Sequence, residues 1–233
     1  MTKNVLRWSI FCVVACALSG CAPKINEPND ALPSAQARFI HVASTAGNLD
    51  FAVMNVAGAT LLYVQRETEY GRQYRYDVFK AGEREFRALR SRANANLARA
   101  KRTLEANAKY TAFAIDAANA VDTLLLVAMD TTATPAADKA FVRFVHASGD
   151  AGEVSISGDG VSLSNFKRRD VSRYFVVDAG TRSFAIQFSD GATATTTQTF
   201  FPKGVYTVVI SGSRAGGAGQ VPLNVKSFLD VSP

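Results

Sequence analysis

Apolar and polar positions alternate in short runs along most of the chain, each run closed by glycine, proline, asparagine or aspartate. A period of two puts successive side chains on opposite faces of a strand, so this texture predicts β-structure. The runs predict strands near 37–43, 49–54, 60–65, 74–79, 84–91, 97–105, 109–115 and 123–129, and again near 140–147, 153–157, 161–166, 173–177, 181–188, 194–201, 205–211 and 221–229. Between them Asp159-Gly160, Ala179-Gly180, Asp190-Gly191 and Lys203-Gly204 supply residues that accept the positive φ of tight turns. Short strands at a spacing of about 8–12 residues predict a sandwich. One stretch has a different rhythm. Phe86, Leu89, Ala93, Leu97, Ala100 and Leu104 step by three and four, which is helical spacing.

An internal repeat weighs against a helix there. Arg38-Phe39-Ile40-His41 and the following Ala46-Gly47-Asn48-Leu49-Asp50-Phe51 match Arg143-Phe144-Val145-His146 and Ala151-Gly152-Glu153-Val154-Ser155-Ile156. Ala81-Gly82 before Phe86 matches Ala179-Gly180 before Phe184, and Tyr110-Thr111 matches Tyr206-Thr207. Each half closes on an apolar run before an aspartate, Asp130 or Asp230. Four blocks in one order read as two tandem copies of a domain. The second copy fills the interval equivalent to 86–104 with Asp190-Gly191 and a threonine-rich run, a hairpin pattern. Helix propensity is the weaker prior, so a hairpin is expected in both copies.

The N-terminus follows another pattern. Lys3 and Arg7 precede an apolar run over 8–18, about half the ~20 residues needed to span a bilayer as a helix. A basic head, a short apolar middle and small residues read as a secretory signal. The run ends in Leu18-Ser19-Gly20-Cys21, which resembles the bacterial lipobox. The resemblance implies cleavage between Gly20 and Cys21 and acylation of Cys21, so membrane lipid would hold the chain through that residue. Ala22 stands where an aspartate commonly retains lipoproteins in the inner membrane, so the outer membrane is expected. The expected organisation is therefore a signal peptide at 1–20, an acylated cysteine and proline-containing tether at 21–36, a β-sandwich at 37–130, a short polar joint running from Asp130 to Lys139, and a second β-sandwich at 140–231.

The repeated Arg-Phe-[Ile/Val]-His, the run Leu49-Asp50-Phe51-Ala52-Val53, Ala81-Gly82, and Leu104-Glu105-Ala106-Asn107-Ala108-Lys109-Tyr110-Thr111 resemble the family called domain of unknown function 4397. The likeness covers about 37–130 well and 140–231 more loosely, where Phe200-Phe201-Pro202-Lys203-Gly204-Val205-Tyr206-Thr207 replaces the last block. It implies an all-β fold of two tandem immunoglobulin-like or transthyretin-like sandwiches and secretion or surface attachment. It implies no catalytic residues.

Composition narrows the chemistry. The three cysteines are Cys12 and Cys16 in the signal and Cys21 at the cleavage site, so the mature domains carry no thiol, disulfide or cysteine metal site. No cofactor and no metal are expected. The formal net charge of +6 becomes +4 once Lys3 and Arg7 leave with the signal. The excess concentrates in 84–109, where Arg87, Arg90, Arg92, Arg99, Lys101 and Arg102 form a candidate surface for anionic ligands. Acidic envelope polysaccharide or a partner protein fits that surface, and export argues against nucleic acid. The bland alternative is edge protection of an exposed strand.

Other candidates read as structural. His41 and His146 each lie two residues after a phenylalanine on the same strand face, the setting of a hydrogen-bonded core histidine. Gly-x-Ser-x-Gly is absent, and Ser44 and Asp50 near His41 match no triad spacing. The glycine-rich 211–219 lacks the lysine of a phosphate loop. Asp150, Glu153 and Asp159 read as solvated turn residues. The expectation is a lipid-anchored envelope module that binds or supports, not an enzyme; the alternative is an envelope hydrolase with its site in the cleft between the two domains.

Overall fold

The computed structural model describes residues 33–57, 59–93, 95–118, 122–217 and 220–231. The described residues are all-β, with sixteen strands and no helix. The first eight are β1 (Ser34–His41), β2 (Leu49–Asn55), β3 (Thr60–Thr68), β4 (Asp77–Lys80), β5 (Gly82–Arg90), β6 (Asn96–Leu104), β7 (Lys109–Asp116) and β8 (Thr123–Asp130). The second eight are β9 (Lys139–His146), β10 (Val154–Gly158), β11 (Val161–Phe166), β12 (Phe175–Asp178), β13 (Gly180–Phe188), β14 (Thr193–Phe200), β15 (Val205–Ser211) and β16 (Asn224–Val231).

They form four sheets of four strands. One sandwich pairs β4-β1-β7-β8 with β3-β2-β5-β6, and the other pairs β12-β9-β15-β16 with β11-β10-β13-β14, in the same strand order. Each inner sheet holds one parallel pair, β1 with β7 and β9 with β15. Stacked aromatics fill each sandwich. Phe39 lies 4.5 Å from Phe51 and meets Phe86 edge-on, while Phe144 meets Phe184 edge-on at 5.3 Å.

The two sandwiches join through their inner sheets. Ile40, Val42, Phe113, Ile115, Val145, Ala147, Val209 and Phe228 make a third buried cluster drawn from both halves. The inner sheets are thus covered on both faces, which explains why β7 and β15 are buried at nearly every position. Along β7, Tyr110, Ala112 and Ala114 enter their own sandwich, while Phe113 and Ile115 enter the shared cluster. Along β15, Tyr206, Val208 and Ile210 do the first and Val209 the second.

The stretch 86–104 is a hairpin, with Phe86 opposite Ala100 and Arg87 opposite Arg99. A bulge at Ala88/Leu89 and the turn after β5 break the three-and-four spacing that imitates a helix. Two boundaries differ from expectation. β1 begins at Ser34, so 34–36 are strand rather than tether; Asn107 donates its N–H to the Ser34 carbonyl (2.7 Å) and Ala81 to that of Pro33 (2.8 Å). Asp130 and Lys139 end β8 and begin β9 rather than belonging to the joint. Cys21, Gly20 and the rest of the expected signal lie outside the described residues.

Candidate functional site

The most organised polar site lies between the sandwiches. Arg38 on β1 crosses to the second sandwich, where its guanidinium pairs with Asp230 and donates to the Leu229 carbonyl at 2.8 Å. Its Nε donates to Thr111 Oγ1 in its own sheet at 2.9 Å. Arg143 on β9 does the reverse: it pairs with Asp130, donates to the Met129 carbonyl at 2.8 Å, and donates through Nε to Thr207 Oγ1 at 2.8 Å. The hydroxyls close the circuit. Thr111 and Tyr76 donate to Asp130 Oδ2 at 2.7 and 2.8 Å, and Thr207 and Tyr174 donate to Asp230 Oδ2 at 2.7 and 3.0 Å. Each guanidinium also lies over a tyrosine, Arg38 on Tyr76 at 4.8 Å and Arg143 on Tyr174 at 5.0 Å.

Both acids and both arginines are buried. A buried ion pair is tolerated only where its remaining donors and acceptors are satisfied, and here threonines, tyrosines and strand-end carbonyls do that. Burial pushes the Asp230 carboxyl up, while Arg38 and Arg143 pull it back in part. Burial and the two carboxylates likewise push the Tyr76 and Tyr174 phenols well above the ordinary tyrosine range, so both remain donors. The geometry is that of a reciprocal clasp. Sequence reasoning passed over these residues, although the repeated Arg-Phe, Tyr-Thr and terminal aspartate had marked them: polar positions kept inside two otherwise apolar blocks.

At the other end of the inner strands, both histidines are committed to their own loops. His41 Nε2 donates to the Gly47 carbonyl and His146 Nε2 to that of Gly152, each at 2.7 Å. His41 Nδ1 accepts the Ala43 N–H at 3.3 Å. Burial drives the His41 pKa down to about 4 and lowers that of His146 too, so both imidazoles are neutral near pH 7. Ser44 donates through N–H and hydroxyl to Asp116, at 2.7 and 2.8 Å, and is not directed at His41.

Asp150 differs from its expected role as a solvated turn residue. Its carboxylate accepts from the Ser213 hydroxyl (2.6 Å) and the N–H groups of Arg214 (2.8 Å) and Ala215 (3.0 Å). It therefore anchors the start of the glycine-rich loop, and those hydrogen bonds hold its pKa below the usual value against the opposing effect of burial. Among the described residues no cluster of His, Cys, Asp and Glu is arranged to hold a metal. A shallow groove of about 480 Å³ marks the rim between the sandwiches, lined by Tyr70, Arg72, Gln73, Lys226 and Phe228 among others.

The hairpin divides the six basic candidates. Arg87 faces Arg99, and Lys101 faces Glu85, on the outer face of β5–β6. Arg99 and Lys101 are exposed, and Arg87 is half-buried and paired with Glu85. Arg90 is exposed at the end of β5. Arg92 sits in the turn with φ 63° and bonds Glu67 at 2.7 Å. Arg102 turns to the opposite face, with its guanidinium 5.8 Å from the Tyr110 ring. Arg87, Arg99 and Lys101 therefore make one patch, with Glu85 among them, while Arg90 has the strand parity of Phe86 and Ala88.

Fold and site define an all-β protein of two sandwiches joined by a buried ionic clasp. The chain belongs to the family described as Domain of unknown function (DUF4397), whose model matches residues 35–157, across the first sandwich and into β10. Among curated proteins, none matches. Solved structures with some likeness include a leucine-rich repeat protein from Bacteroides thetaiotaomicron (11% identity, 82% of this chain and 26% of that one, TM-score 0.22). A candidate cell adhesion protein from Bacteroides ovatus has 12% identity over 85% of this chain and 97% of its own, also with a TM-score of 0.22. This chain spans about a quarter of the leucine-rich repeat protein.

Proposed function

We propose that this is a lipid-anchored module of the outer membrane that binds acidic envelope polymers, with no catalytic role. The observation that carries the binding reading is the outer face of β5–β6, where the hairpin register collects Arg87, Arg99 and Lys101 on one side. The matching hairpin of the second sandwich has Thr181, Ser183, Thr195 and Thr197 at its outer positions, so the charge is confined to one sandwich. Guanidinium groups recognise carboxylate and phosphate oxygens in bidentate fashion, which suits uronic acids or phosphorylated sugars.

Support for a non-enzymatic role comes from the contact between the sandwiches, which is filled by the apolar cluster and the clasp. A hydrolase site there would need an open cleft with a serine, a histidine and an acid converging on it. His41 and His146 instead spend Nε2 on their own loop carbonyls.

The binding reading is tested by retention of the protein on immobilised acidic polysaccharide. Replacing Arg87, Arg99 and Lys101 with Glu is expected to weaken retention by at least about tenfold per residue, since a hydrogen bond to a charged group contributes about 1.5–3 kcal/mol. Unchanged retention contradicts the reading. The anchor is tested separately by fractionating cells that carry Cys21→Ala. Acyl chains contribute about 0.8 kcal/mol per buried CH₂, and two or more give stable attachment, so the variant is expected in the soluble fraction. A Cys21→Ala protein that stays with the membrane rules out the lipid anchor.

A further inference from the structure

Strand edges expose unpaired N–H and C=O groups, and proteins blunt them with charge, proline, bulges, shortness or cover. Most edges of this protein carry such a device. β4 and β12 have four residues each. β3 and β11 have irregular registers and a residue at positive φ, Glu67 or Asn165. β6 carries Arg99, Lys101 and Arg102 and lies along β8, and β16 carries Lys226 and a register shift.

β14 carries no charge, proline or bulge, and its cover is slight: Gln198 donates from Nε2 to the Val225 carbonyl of β16 at 3.2 Å. β14 is eight residues long, with the sequence TATTTQTF, and its register with β13 runs unbroken from Gly180↔Phe200 to Gln187↔Thr193. Phe188 donates its N–H to the Ala192 carbonyl at 2.8 Å, which fixes the alternation of the ladder. Ala194, Thr196 and Gln198 therefore bond to β13, while Thr193, Thr195, Thr197 and Thr199 point their backbone groups away from it. All four are exposed, and among the described residues no other strand pairs with that edge.

We propose that β14 docks antiparallel against β14 of a second copy of this chain, joining two outer sheets into one of eight strands. The occupant follows from the chemistry of the edge. A strand without charge meets its own copy without repulsion, whereas β6, with three cations, does not. Cross-strand threonine pairs are favourable, and this sheet already makes two such contacts, Thr181 with Thr199 at 3.2 Å and Ser183 with Thr197 at 3.1 Å. A two-fold pairing is self-complementary and closes on itself, so it gives a dimer and no fibre. One strand pair buries far less than the ~1,600 Å² of a standard interface, so the dimer is weak when dilute. Confinement of anchored copies to one plane raises their effective concentration, although the pairing itself does not depend on the anchor.

The test uses the full chain with Cys12, Cys16 and Cys21 replaced by serine, and one new cysteine at a time. Under mild oxidation at high protein concentration, an equimolar mixture of Thr195→Cys and Thr197→Cys chains is expected to form mixed disulfide dimers, because full two-fold overlap of 193–199 puts Thr195 opposite Thr197 of the other copy. Ser157→Cys, on the same outer face but on the interior strand β10, is expected not to. Adding Thr197→Pro to Thr195→Cys removes one outward N–H without touching the β13 ladder. It is expected to cut cross-linking at least about tenfold with strand content by circular dichroism unchanged, since proline is tolerated on an edge. Cross-linking at Ser157→Cys as fast as at β14, or a dimer indifferent to Thr197→Pro, overturns the proposal.

Discussion

Replacing Arg143 with alanine is expected to destabilise the folded protein by about 3–5 kcal/mol, the usual cost of removing one partner from a buried ion pair. The change leaves Asp130 buried without its guanidinium and deprives the Met129 carbonyl and Thr207 hydroxyl of a donor. It also removes the cation that lies over Tyr174. A domain is typically stable by only about 5–15 kcal/mol, so a loss of this size brings the protein close to unfolding. Arg38→Ala is expected to behave alike, because the second half of the clasp repeats the first. The double replacement Arg143→Met with Asp130→Leu is expected to cost much less than either single change, because no buried charge is then left without its partner. Urea denaturation reads all four proteins. An Arg143→Ala midpoint equal to that of the wild type removes the clasp from the account of stability.

Acid is expected to have the second large effect. The His41 imidazole titrates at about 4 in the folded protein, against 6.5 ordinarily. Between these values the unfolded chain binds a proton that the folded chain refuses, so stability falls as the pH drops from about 6.5 to about 4. A separation of about 2.5 units corresponds to about 3 kcal/mol, at 1.36 kcal/mol per unit. His146 is shifted in the same direction and adds to the loss. Asp230, whose carboxyl is pushed up, acts with the opposite sign. The His41 contribution is therefore isolated by comparison with His41→Gln, whose amide can still donate to the Gly47 carbonyl. Denaturation midpoints taken across this range should fall more steeply for the wild type than for His41→Gln. Parallel slopes contradict the assignment.

Alternation of apolar residues placed the strands of the outer sheets other than the hairpin at 86–104, because nearly every strand there has one wet and one dry face. The hairpin at 86–104 was legible only through the second copy, whose Asp190-Gly191 turn outweighs the helical spacing of Phe86, Leu89, Ala93 and Leu97. The packing of one sandwich on the other left a fainter mark, the apolar runs of β7 and β15, broken only by Thr111 and Thr207. Such runs do not say what covers the second face, so the face-to-face arrangement of the inner sheets emerges only from the folded chain.

The clasp was hidden for a related reason. Arg38 and Asp230 are separated by 192 residues, and nothing local marks either as buried. Asp130 even resembled the first residue of a polar joint, although its carboxylate takes bonds from Arg143, Thr111 and Tyr76. The basic candidates were correctly placed on a hairpin, but strand alternation and the turn divide them, so that only Arg87, Arg99 and Lys101 share the outer face. Cys21 rests on sequence alone, as the one cysteine left once the signal is removed.

The central claim is that the clasp and the shared apolar cluster make one cooperative body of two sandwiches. Differential scanning calorimetry of the folded chain tests it most directly. A single transition is predicted, with a van't Hoff enthalpy equal to the calorimetric enthalpy of the whole chain. Two resolved transitions, or a van't Hoff enthalpy near half the calorimetric value, would show that the sandwiches unfold independently and contradict the claim.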